Sequence, residues 1–343
     1  MKLSFPVPST RHPVGGVAIT YEFATALAHR GHDVTLLHHE LFGDDAVASL
    51  DELPWFTFDA AVNHQFVEGG VADVSALPDA DVFVGHAPAV DENPRLGLPV
   101  KVIQGWRMYP EAHEIAAYRT RAPKACVARW LLRIGTELGV PEHELIHTPI
   151  ALHHDRFSLR EPIEDRRPHV VFCWNSHPMK GGDLAIEVLG RLHEERPDVR
   201  LSAFGTWAPP EIPTWLTYHR EPEPDVLVDE LYNTASVFLC SSVVEGFGLT
   251  NLEAMTCGAA LVTTDCGGPE DYAEQEITAL VSPTMDADAL LAATLRAITD
   301  DPLRTAIARA GRDRALGFTW DRSGALMESF FADYLADPGA FGR

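Results

Sequence analysis

Short apolar runs alternate with amphipathic stretches along this chain, and after one charged, proline-bearing interruption the alternation begins again. Leu3–Val7 is followed by an amphipathic segment from Val17 to His29, a stop at Gly31 and a second apolar run at Asp33–Leu37, the pattern of a βαβ unit. Strand-like runs recur at Asp81–Gly85, Val100–Gln104, Ala125–Ala128 and Leu145–Thr148, spaced for crossover connections. Phe157 to Pro168 breaks the rhythm with charges and two prolines, as an interdomain linker does. Strand signals then return at His169–Trp174, Val199–Phe204, Val237–Cys240 and Ala259–Thr263, with helical stretches at Gly182–Glu194, Asp225–Asn233 and Asn251–Thr256. After Pro302 the pattern is helical to the end, and an apolar-periodic helix from Ser323 to Tyr334 is suited to pack back across the first half. The expectation is an α/β protein of two doubly wound sheets, residues 1–156 and 157–317, with 318–343 crossing back to the first. Open α/β sheets bind ligands at the carboxyl ends of their strands, so functional residues are expected in strand-to-helix loops around a central cleft.

With 343 residues, 46% of them hydrophobic, the chain can bury two cores of ordinary size. Its 27 basic and 50 acidic residues leave a net charge of −23, which repels nucleic acid and anionic membrane as bulk partners; peripheral membrane contact and oligomeric state stay open. Any site for a nucleoside diphosphate must therefore reverse the mean field locally, with helix N-termini and a few cations. There is no 18-residue apolar run and no basic leader, so a soluble, cytoplasmic protein is expected. The five cysteines, without a C-x-x-C, lie mostly in apolar runs and read as reduced, buried thiols. Among sixteen histidines the pairs His38-His39 and His153-His154 invite a metal, but neighbours on an extended segment point to opposite sides, so no metal site is expected.

The densest chemical signal follows the strand Val237–Cys240. There Glu245, Gly246, Phe247, Gly248 and Leu249 lead into a helix that carries Glu253. Small residues let backbone approach a ligand closely, and free N–H groups at Phe247, Gly248 and Leu249 would present partial positive charge. Glu245 lies in the loop and Glu253 on the helix, placed to reach two ends of one extended ligand. The plainer alternative is a glycine-rich turn followed by a solvated helix.

This segment resembles the E-x7-E signature of glycosyltransferase family 4. Leu231 to Val237 upstream, and Gly258 to Glu270 downstream with its Gly267-Gly268 pair, are similar to the family's flanking stretches. Near the start, Gly15 and Gly16, with Arg30 to Val34, resemble its glycine loop and strand entry. The resemblance implies the GT-B fold, two Rossmann-like domains, and a nucleotide-sugar donor as co-substrate with no cofactor. It assigns Glu253 to the ribose hydroxyls, Glu245 to the donor sugar, and the Gly246–Leu249 backbone to sugar and phosphates. Gly15 and Gly16 would approach the diphosphate and the acceptor, and His86 the sugar. Lys180 matches the lysine of the family's phosphate clamp, whereas the clamp's arginine position reads Asn175, which can donate a neutral hydrogen bond but cannot neutralise a phosphate. Arg107 and Arg129 are candidate replacements.

The implied activity is transfer of a sugar from a nucleoside diphosphate to an acceptor hydroxyl with retention of configuration and without a metal, Glu245, His86 and Lys180 being the catalytic candidates. Two rivals remain at this stage. One is another GT-B enzyme, such as a nucleotide-sugar epimerase; the other is a catalytically degenerate binding or partner subunit, for which Asn175 is the best support. The acceptor is not legible.

Overall fold

The structure is a computed structural model that describes residues 1–40, 47–67, 74–85 and 93–341. It divides into two compact units: Met1–Gln104, Tyr109–Ala151 and Trp320–Arg343 form the first, and Gly105–Met108 with Leu152–Thr319 the second.

The first unit holds a seven-stranded parallel sheet in the order β3-β2-β1-β4-β5-β6-β7. Its strands are β1 (Lys2–Pro8), β2 (Asp33–His39), β3 (Asn63–Val67), β4 (Val82–Val84), β5 (Leu98–Ile103), β6 (Lys124–Cys126) and β7 (Leu145–His147). Helix α1 (Gly15–His29) buries Val17, Ile19, Phe23, Leu27 and neighbours, and Gly31 at φ 87° supplies the left-handed turn into β2. Helix α2 (Glu111–Arg119) connects β5 to β6, and α3 (Arg129–Glu137) connects β6 to β7.

The second unit restarts the alternation. Strands β8 (His169–Cys173), β9 (Arg200–Gly205), β10 (Thr217–Arg220), β11 (Val237–Cys240), β12 (Ala260–Thr264) and β13 (Ala279–Ser282) pair in parallel as β10-β9-β8-β11-β12-β13. Both faces of the central strands are covered, which is why β8, β11 and β12 read as continuous apolar runs. Helices α4 (Gly182–Glu195), α5 (Leu249–Thr256), α6 (Ala287–Thr299) and α7 (Asp301–Ala315) flank this sheet. The helix expected at Asp225–Asn233 is a π-helix, Val226–Tyr232, closed by Asn233 N–H on the Val228 carbonyl.

The carboxyl-terminal stretch is two helices, since the chain turns at Leu316–Thr319 before α8 (Trp320–Ala336). Helix α8 packs on the first unit as expected. Trp320 meets Phe23 edge-on at 5.2 Å, Ser323 Oγ donates to the Pro149 carbonyl at 2.6 Å, and Arg30 pairs with Asp321 and Glu328. The five cysteines are free thiols, four of them buried and Cys173 half-buried. Among the described residues no helix is long and apolar enough to cross a membrane.

Candidate functional site

In each sheet the strand order reverses once, between β1 and β4 in the first unit and between β8 and β11 in the second. Loops leaving two such strands diverge to opposite faces and open a crevice at their carboxyl ends. In the second unit those loops are the ones that carry Lys180 and Glu245.

The loop after β8 begins at buried Trp174 and turns at Asn175, whose Oδ1 accepts from His177 N at 2.8 Å. A 3-10 turn over Pro178–Lys180 follows, and Gly181 at φ 62° leads into α4. A β-carbon on Gly181 would lie 2.0 Å from the Ser241 carbonyl oxygen, so only glycine fits. The loop after β11 is laced to this one: Val243 N donates to Met179 O at 2.8 Å and Ser241 Oγ to Gly181 O at 2.7 Å.

Lacing brings the side chains together. Lys180 Nζ donates to Glu245 Oε2 at 2.7 Å, and Ser242 Oγ donates to Glu245 Oε1 at 2.7 Å. Burial alone would pull the Lys180 ammonium below its ordinary value, but the adjacent Glu245 carboxylate outweighs it and the net direction is upward. The lysine therefore stays charged. The loop after β12 fixes the Glu245 backbone, whose N–H donates to Cys266 O at 2.8 Å while its carbonyl accepts from Gly268 N at 2.9 Å.

Phe247 is buried against Tyr272 and Phe318, with ring centroids 5.5 and 5.6 Å away. This anchor lets Gly248, at φ 91°, turn the chain into α5. Tyr272 Oη donates to the Phe247 carbonyl at 2.7 Å and steadies the turn. The N–H groups of Phe247, Gly248 and Leu249 carry no hydrogen bond among the described residues, and they stand at a helix N-terminus where partial positive charge gathers.

Further along α5, Glu253 is half-buried, and its Oε2 accepts from Tyr232 Oη at 2.7 Å. Burial pushes its carboxyl upward, while Tyr232 and Arg156 hold it down. Oε1 has no hydrogen-bond partner among the described residues.

The motif residues Lys180, Glu245, Gly246, Phe247, Gly248, Leu249 and Glu253 thus gather in one unit around one crevice. Asn175 stands at its edge with its carbonyl oxygen spent on the turn. Gly15 and Gly16 open α1 in the first unit, where a β-carbon on Gly16 would meet Gln104 Oε1 at 2.8 Å. His86 lies outside the described residues. Of the candidate cations, Arg107 groups with the second unit at φ 63°, and Arg129 opens α3 of the first. Three contributors were not singled out from sequence: Ser242, Tyr232 and Tyr272. Ser242 was within reach, standing three residues before Glu245. The tyrosines meet the motif only through tertiary packing. Among the described residues no group of three or more His, Cys, Asp or Glu side chains is arranged to hold a metal ion.

Two doubly wound parallel units, the C-terminal helix packed on the first and a crevice at the switch point of the second are the arrangement of the GT-B fold. Residues 155–314 match the family model described as Glycosyl transferases group 1. The alpha-maltose-1-phosphate synthase of Mycolicibacterium smegmatis is 31% identical over 180 residues, covering 46% of this chain and 46% of that protein. A D-inositol 3-phosphate glycosyltransferase of Corynebacterium aurimucosum is 26% identical over 187 residues, 49% and 43% of the two chains. The alignments thus span just under half the length of these curated relatives. Among solved structures, Anabaena HepE in complex with UDP superposes with a TM-score of 0.78 at 14% identity, covering 97% of this chain and 100% of that one. Sucrose-phosphate synthase from Thermosynechococcus elongatus gives 0.76 at 15%, covering 97% and 99%. Those two similarities bear on the fold alone.

Proposed function

We propose that the chain transfers a sugar from a nucleoside diphosphate sugar to an acceptor hydroxyl, with retention of configuration and without a metal. The observation that carries this is the cluster at the β8/β11 switch point, where Lys180, Glu245 and Ser242 meet beside the free amides that open α5. The match to the model described as Glycosyl transferases group 1 and the relatives named alpha-maltose-1-phosphate synthase and D-inositol 3-phosphate glycosyltransferase support sugar transfer, and Anabaena HepE, which shares the fold, was solved with UDP. In this reading the diphosphate takes the Lys180 ammonium and the α5 amides, the sugar faces Glu245, and the ribose faces Glu253. The bond from C1 of the sugar to the leaving phosphate oxygen breaks as the acceptor oxygen bonds C1 from the same face, and the acceptor's proton passes to that phosphate. Stabilisation of the leaving group comes from fixed donors, whose orientation costs nothing at the moment of reaction. The Gly15–Gly16 loop stays assigned to the diphosphate and the acceptor, and His86 to the sugar.

A panel of nucleoside diphosphate sugars, assayed for release of free nucleotide with and without chelator, tests the reading. Release with one donor, insensitive to chelator, is expected, and an α-configured product should form from an α-configured donor. Glu245→Gln should reduce turnover by roughly two orders of magnitude and leave nucleotide affinity within about threefold. Asn175 in place of a cation favours a second reading, a nucleotide-binding subunit without turnover. Tight nucleotide binding with no release from any donor would select it.

A further inference from the structure

We infer that Tyr232 is the positioning residue for Glu253, its hydroxyl fixing one carboxylate oxygen and leaving the other to take the ribose of a nucleoside diphosphate. This rests on Glu253 being the nucleotide contact. Tyr232 closes the π-helix and is fully buried, its ring set edge-on among Phe157, Phe204 and Phe238 at 6.2, 5.6 and 5.7 Å. Close packing around the ring holds its hydroxyl in place, and it donates to Glu253 Oε2 at 2.7 Å.

The backbone beneath this pair is held by one buried guanidinium. Arg166 Nη1 donates to the carbonyls of Ala235 at 2.8 Å and Tyr232 at 3.3 Å, and Nη2 to those of Cys257 at 2.5 Å and Glu161 at 3.1 Å. Cys257 caps α5, and its N–H donates to the Glu253 carbonyl at 3.0 Å. A single cation therefore joins the carboxyl ends of the π-helix and of α5, where helix dipoles favour positive charge. Tyr232 and Glu253 are tied at their backbones as well as their side chains.

The contact also bears on ionisation. Burial raises the Glu253 carboxyl, and the two groups that oppose this are the Tyr232 hydroxyl and Arg156. Among the described residues, the other titratable groups facing it are Cys173 and Cys257, both thiols pushed up to about 12 by burial, so they bring no charge near neutral pH. A protonated Glu253 would spend its remaining oxygen as a donor and lose acceptors that two ribose hydroxyls need. Removing the Tyr232 hydroxyl thus removes both an orienting bond and a support for the carboxylate.

Titration calorimetry on the full chain with UDP, GDP and ADP, from about pH 5.5 to about pH 8, tests this. Tyr232→Phe keeps the packed ring. It should weaken the nucleotide that wild type prefers by roughly tenfold, the scale of one charge-assisted hydrogen bond. The acid limb of binding should also move to higher pH in Tyr232→Phe. In a Glu253→Gln background the same change should cost little more, because both act through one carboxylate. An unmoved acid limb, or losses that add in the double variant, would overturn the inference while leaving the nucleotide reading intact. Wild type binding none of the three nucleotides would sink that reading, and this inference with it.

Discussion

Lys180 and Glu245 neutralise one another in a chain that carries 23 excess negative charges, and each is largely removed from water, with side-chain exposures of 24% and 14%. Removing one partner leaves the other desolvated and uncompensated, which costs more than the pair contributes. Lys180→Met is therefore expected to lower nucleotide diphosphate affinity by one to two orders of magnitude, roughly 2 kcal/mol. Equilibrium titration measures it, and unchanged affinity would remove Lys180 from the phosphate site. Ser242 acts on the opposite oxygen of Glu245. Ser242→Ala leaves that carboxylate held at one oxygen, by Lys180, and does not touch the nucleotide, so kcat should fall by about tenfold with nucleotide affinity unaltered. A change confined to KM would instead make Ser242 a binding contact.

At the scale of elements, the crevice is three strand-end loops sewn together by backbone. Gly181 is where the sewing is tightest, and Gly181→Ala would drive a β-carbon into the Ser241 carbonyl in a φ region that alanine disfavours. Denaturant titration of that variant should show a loss of at least about 2 kcal/mol. Stability within about 0.5 kcal/mol of wild type would mean that the two loops are not laced as described. Arg166 does the corresponding work behind the crevice. Arg166→Met leaves four carbonyls without their donor, and a loss of about 3 kcal/mol or more is expected in the same measurement. Arg166→Lys should recover only part of it, because a single ammonium cannot span carbonyls on three segments.

Across the whole molecule, acid sensitivity is built into both units. Burial holds His38 at about 4 in the first unit and His169 at about 3 in the second, so both are neutral when folded. Their unfolded values lie near 6.5, so folding excludes protons that the unfolded chain would bind below that pH. The stability these groups contribute is full above about pH 6.5 and is lost as pH falls toward 4, on the order of 2–3 kcal/mol for each. Glu253, raised by burial, works in the opposite direction. Melting temperatures should accordingly fall steadily between about pH 6.5 and pH 5, and His38→Asn should flatten part of that slope. A flat profile over this interval would show that these histidines are hydrated in the folded state. The two-sheet architecture behind this pattern was legible from residue pattern, because strands covered on both faces must be apolar throughout and helices covered on one face must be periodic. The edge strands β3 and β10 were not, since Asn63–Val67 and Thr217–Arg220 are half-buried and carry no such run. Nor was the π-helix, whose five-residue hydrogen bonding leaves no trace in a 3.6-residue pattern. Of the candidate site, the Glu245–Glu253 segment stood out locally through its glycines at a helix start, whereas Lys180 was singled out through its resemblance to a family motif; the structure adds that Gly181 and Gly248 sit at φ 62° and 91°. That Lys180 reaches Glu245 across 65 positions, and Tyr232 reaches Glu253 across 21, was decided by tertiary structure alone. The reversal of strand order between β8 and β11 and the packing of a π-helix on α5 bring those pairs together, and neither is a property of any local window of residues.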